Sequence, residues 1–167
     1  MYTHALKSKD IDLVAEYEEL EKLKREFEVF KNERLRKYEA RKEEMEIDIY
    51  VPFYSNPGLP AEDLRKFRVS IEGFKVVEKE ILAILKQKAL MARADSPKGR
   101  KDLVDLASLF SLKDFDWQKY QKIISEYKLG NFLVTIKEII RKTRELNELD
   151  LNVYQFAQLK KKILAQI

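Results

Sequence analysis

The sequence contains no cysteine, a single histidine (His4), and only four glycines and four prolines in 167 residues. Without cysteine there is no disulfide framework, no thiol nucleophile and no cysteine-ligated zinc or iron–sulfur centre. One histidine excludes a histidine-rich metal site, and we assign His4 no role. No apolar run approaches the ~20 residues that a membrane-spanning helix needs. Met1–Leu13 has no apolar core of the secretory kind, so the expectation is a cytoplasmic protein that meets no membrane. What is abundant is charge: 33 Lys and Arg stand against 29 Asp and Glu, with hydrophobic residues at 45%. That much apolar material supports a buried core and excludes general disorder.

The net charge of +4 is unevenly placed. Eleven basic and seven acidic residues fall between Lys113 and Ile167, so residues 1–112 are neutral overall. The hydrophobic pattern changes at about the same point, which predicts two regions, 1–112 and 113–167. In the first, Lys9–Ala15 alternates as a strand, with Ile11 and Leu13 opposite Asp10 and Asp12. Glu16–Lys31 switches to helical period, its stripe being Leu20, Leu23, Phe27 and Phe30. Leu35–Ala40 is expected as an edge strand and Met45–Val51 as a second alternating strand, followed by a Pro- and Gly-containing loop to Pro60. Phe67–Ile71 and Phe74–Val77 pair around Gly73. Helices are expected over Glu78–Arg93, about Arg100–Phe110, Asp114–Lys128, Phe132–Glu145 and Leu151–Ile167. The predicted class is α+β: a small mixed sheet with flanking helices, then a C-terminal helical bundle.

Asp10 and Asp12 lie two apart on one strand, so both carboxylates leave the same face with Cα atoms about 7 Å apart. Asp48, between Ile47 and Ile49, projects a third carboxylate from the later strand. If the two strands are neighbours, the three acids converge and repel unless a cation offsets them. With oxygen as the only available donor, Mg²⁺ fits best, with Mn²⁺ as its substitute, and the chemistry suited is phosphoryl or nucleotidyl transfer. The plain alternative is a solvated strand face in a charge-rich chain.

The run Lys7-Ser8-Lys9-Asp10-Ile11-Asp12-Leu13 resembles the Asp-x-Asp strand of the polymerase-beta-like nucleotidyltransferase superfamily, and Ile47-Asp48-Ile49-Tyr50 resembles its third-carboxylate strand. Leu85-Lys86-Gln87-Lys88-Ala89, Arg93 and Lys98–Leu106 are similar to the helices that follow the sheet in abortive-infection-type and minimal members. The resemblance covers about Thr3–Phe110. It implies Asp10, Asp12 and Asp48 as metal ligands and catalytic acids, with Asp48 the candidate base. It also implies Lys86 as a contact to nucleotide phosphate, with Lys88 as the fallback. Asp102 and Asp105 would orient Lys86 or Arg93, or simply form a surface charge network. The implied substrate is a nucleoside triphosphate, the acceptor a protein or RNA hydroxyl, and the setting a toxin–antitoxin pair.

The family also carries a Gly-Gly or Gly-Ser pair on a helix before the Asp-x-Asp strand, whose backbone amides cradle the triphosphate. The first glycine here is Gly58, so the domain over 1–112 is expected to be N-terminally incomplete, with a sheet face left for a second copy or a partner chain to cover. Two other functions compete with the enzyme. One is an inactive interaction protein on the same fold. The other is a weakly basic nucleic-acid-binding helical module, supported by Lys160-Lys161-Lys162 and the basic last third.

Overall fold

The computed structural model describes residues 10–167, with the side chain of Asp10 outside the described part. It confirms the α+β class, with one four-stranded mixed sheet, one two-stranded sheet and helices that dominate the second half. The described residues divide into two compact units, 10–77 and Glu78–Ile167. Packing therefore changes after Val77, earlier than the change in charge at residue 112. Divided at residue 77, the helical unit holds 18 basic and 12 acidic residues, so the basic excess belongs to it alone.

In the first unit, β1 (Asp10–Val14), β2 (Glu28–Asn32), β3 (Lys37–Lys42) and β4 (Met45–Tyr50) form a sheet in the order β1-β4-β3-β2. β2, β3 and β4 are an antiparallel meander, whereas β1 runs parallel to β4. The meander's connections are tight, with Arg36 and Glu43 in left-handed backbone at φ 50° and 54°. α1 (Tyr17–Leu23) lays Leu20 on Ala40, Ile47, Ile49 and Val51, and Leu23, Phe27 and Tyr54 pack around that core. Towards the outer strand this cover thins. Ile11 and Leu13 keep 46% and 38% of their surface exposed.

Two expectations are corrected here. The helix foreseen over Glu16–Lys31 ends at Leu23, and Glu28–Asn32 is a strand. Phe27 and Phe30 fit a helical stripe on spacing, but the local turn at Lys24–Phe27 and pairing with β3 prevail. Consequently the strand foreseen at Leu35–Ala40 is no edge: β3 lies inside the sheet, and β1 and β2 are its borders. Beyond the sheet, a single short turn of helix, α2 (Ala61–Leu64), precedes the hairpin β5 (Arg68–Ile71) and β6 (Phe74–Val77). Its connection is Glu72-Gly73, both at positive φ, the conformation that suits a two-residue hairpin turn.

The second unit is built on α3 (Lys79–Arg93) and α4 (Pro97–Ser111), which pack along each other. α5 (Trp117–Glu126) and α6 (Phe132–Lys142) lie against α3, and α7 (Val153–Gln166) against α4 and α6. The ring cluster Phe110, Phe115, Trp117 and Tyr120 closes the α4–α5 corner in edge-on and tilted contacts. Ser96 caps α4 by accepting from the Gly99 amide at 3.0 Å. Gly99 itself is a packing requirement, since a Cβ there would sit 2.1 Å from the Arg93 carbonyl oxygen. In α7 Phe156 and Ile163 are the buried residues, whereas Tyr154 is 73% exposed. A capping box between Asn152 and Gln155 fixes where that helix starts, and with it which side faces inward.

Candidate functional site

β1 and β4 are neighbours, as the carboxylate argument required, and they run parallel with Asp12 directly opposite Asp48. Alternation places both on the face opposite the Leu20 core, because Ile11, Leu13, Ile47 and Ile49 point the other way. The register continues across the sheet: Glu39 on β3 stands opposite Asp48. One row of the open face thus reads Asp12, Asp48, Glu39 across three strands. Asp10 is placed by pairing with Glu46, and its side chain lies outside the described residues.

Each acid in the row has polar partners. Tyr50, two residues after Asp48, donates its hydroxyl to Asp12 at 3.2 Å. Lys37 on β3 donates to Asp48 and lies 3.4 Å from Glu39. Asn32 donates to Glu39 at 2.7 Å, and Arg41 is 3.1 Å away from it. The Asn32 hydrogen bond, together with Lys37 and Arg41, holds the Glu39 carboxyl below its usual range. Lys37, only 11% exposed, thus places a positive charge within the acidic row.

Lys37, Glu39 and Tyr50 were not singled out from the sequence. A signal existed for the first two, since Lys37, Glu39 and Arg41 alternate with Tyr38 and Ala40 on one strand. Using it required knowing that this strand lies inside the sheet beside β4, where a diagonal neighbour comes within reach of a long side chain.

Asp12 and Asp48 suit a hard divalent cation by donor type and placement. Both offer oxygen from adjacent strands on an open face, and Mg²⁺ commonly takes only one or two carboxylates beside substrate oxygens and water. Among the described residues no group of three acids or histidines gathers closely enough to enclose a metal. The resemblance assigns the third ligand to Asp10.

The residues expected to meet phosphate belong to the helical unit. Lys86 on α3 is paired with Asp105 at 2.8 Å and stands 4.0 Å from Asp102. Arg93 donates to Asp102 at 2.7 Å, and Asp102 is buried. Asp102 and Asp105 of α4 thus pair with Arg93 and Lys86 along α3. Lys88 is exposed. Further along the same unit, Arg100 grips Glu148 through two contacts of 2.8 Å and donates to the Glu145 carbonyl at 3.1 Å. No helix among the described residues is long and apolar enough to cross a membrane. No family model, characterised protein or solved structure matches this chain.

Proposed function

We propose that the chain is a metal-dependent nucleotidyltransferase, moving a nucleotidyl group from a nucleoside triphosphate to a protein or RNA hydroxyl. The observation that carries this reading is the register of Asp12 opposite Asp48 on adjacent parallel strands, on the face of the sheet away from its core. It supplies the strand adjacency that the Asp-x-Asp resemblance requires, from residues far apart in sequence.

In this reading Asp12 and Asp48, with Asp10, hold Mg²⁺ or Mn²⁺. The cation supplies charge compensation for the phosphates and for the oxyanion that develops during transfer. Asp48 also accepts the proton of the attacking hydroxyl as its oxygen bonds to the α-phosphorus and pyrophosphate departs. Tyr50 orients Asp12 through their hydrogen bond. Lys86 of the helical unit, held by Asp105, and exposed Lys88 are the residues that the resemblance assigns to phosphate.

The test is transfer of label from [α-³²P]-nucleoside triphosphates to total RNA and to protein, in Mg²⁺ and in Mn²⁺. The reading predicts label on one acceptor class, dependent on the metal and abolished in Asp12→Ala and Asp48→Ala. A folded protein that labels neither, or labels equally well in both variants, overturns it.

A further inference from the structure

Among the described residues Lys37 is the least exposed cation of the first unit's ion pairs, at 11% side-chain exposure. It leaves β3 on the same face as Asp48, with Glu39 two residues along its own strand, and it touches the carboxylates of both. Glu39 is fixed independently by Asn32 and Arg41. The ammonium thus sits on a prearranged acidic pair rather than at the tip of a freely moving surface chain.

Asp48 has only two carboxylate oxygens, and a cation that coordinates them meets the Lys37 ammonium as a like charge at very short range. Lysine is a flexible point charge on a long stem and can yield the position without moving β3. We propose that Lys37 is a resident counter-ion of the acidic row: it holds Asp48 when divalent metal is absent and is displaced from it when metal binds. The inference rests on the metal-dependent reading above. It adds that the chain carries its own competitor, which sets the metal concentration at which the site fills. After displacement, Glu39 remains as a partner for the ammonium, so Lys37 acts as a positioning residue.

Two measurements on the full chain test this. The first is Mn²⁺ binding by calorimetry, with no nucleotide, on the parent and on Lys37→Met, Lys37→Arg and Asp48→Asn. Loss of the competing charge in Lys37→Met should tighten Mn²⁺ by about fivefold, the scale of one partly covered ion pair. Lys37→Arg, which keeps the charge, should stay near the parent, and Asp48→Asn should weaken binding. Unchanged or weaker binding in Lys37→Met, with Asp48→Asn still deleterious, overturns the competition but leaves the metal-dependent reading standing. No Mn²⁺ binding by any form overturns both.

The second needs no substitution and holds if Lys37→Met fails to fold. The Lys37 ammonium of the parent should give a slowly exchanging NMR signal in metal-free buffer that shifts or vanishes on addition of Mg²⁺. A signal indifferent to Mg²⁺, in protein shown by calorimetry to bind it, overturns the displacement.

Discussion

The hydroxyl of Tyr120 donates to the side-chain oxygen of Gln87, whose amide in turn donates to the Phe132 carbonyl at 2.6 Å. Gln87 and Tyr120 are fully buried, so one side chain joins α3 to both α5 and α6 without water. Replacing Gln87 with leucine leaves the buried phenol without its acceptor and removes a second donor from the Phe132 carbonyl. The expected loss is ~1–3 kcal/mol, read from urea unfolding midpoints. Because the same burial pushes the Tyr120 phenol far above its ordinary range, this contribution persists at neutral pH and is lost only as strong alkali ionises the unfolded chain.

Asp48→Asn separates the observed structure from a cluster of uncompensated acids. Relief of repulsion would stabilise the metal-free protein, whereas loss of the Lys37 partner destabilises it. The Lys37 contact predicts the second, by about 1 kcal/mol at low ionic strength, shrinking in high salt. Thermal melts of the metal-free protein at two salt concentrations show the sign directly.

Gly99→Ala is predicted to cost ~1–3 kcal/mol, because the obstruction is the backbone carbonyl of Arg93 and not a side chain that can swing away. Alanine at exposed Gly130, where nothing lies within 4 Å of the new Cβ, is the matched control. Comparable losses at the two sites would show that helix and turn propensity, not the close approach, governs Gly99.

Glu148 gives a pH dependence. The Arg100 hydrogen bonds lower its carboxyl below the ordinary value of 4.5, so the folded state binds a proton there less readily than the unfolded chain. Its stabilisation is complete above the unfolded value and declines as pH falls through the lowered folded one. Glu148→Gln should flatten the acid limb of the stability–pH curve while changing little of its slope above pH 6. An unchanged acid limb would show that the Arg100 pair contributes nothing measurable.

The parts most legible in the sequence were those with one dominant periodicity. β4 announces itself by Ile47 and Ile49 alternating with Glu46 and Asp48, and α5 and α6 by apolar residues at helical spacing on either side of the Gly130-Asn131 break. Phe27–Phe30 shows where such reasoning fails. Four residues with an aromatic at each end satisfy helical spacing, and only the tertiary pairing with β3 makes part of them strand. The same missed strand hid Lys37, since the role of a lysine on an edge differs from that of one between two strands. At the candidate site Asp12 and Asp48 stood out by alternation together with the Asp-x-Asp resemblance. Their mutual register depends on which strands neighbour each other, which no local pattern encodes.

The parallel partnership of β1 with β4 also sets an order of events. β2, β3 and β4 pair with sequence neighbours through tight turns, but β1 reaches β4 only after α1 and two intervening strands have been passed. Closing that longer loop is entropically harder, so the meander is expected to condense first, with β1 docking onto its edge afterwards. Asp12 is then expected to join Asp48 late, and β1 to open before the central strands β3 and β4. Amide protons of β1 are expected to exchange with deuterium ahead of those in β3, which makes the candidate site a reporter of local unfolding.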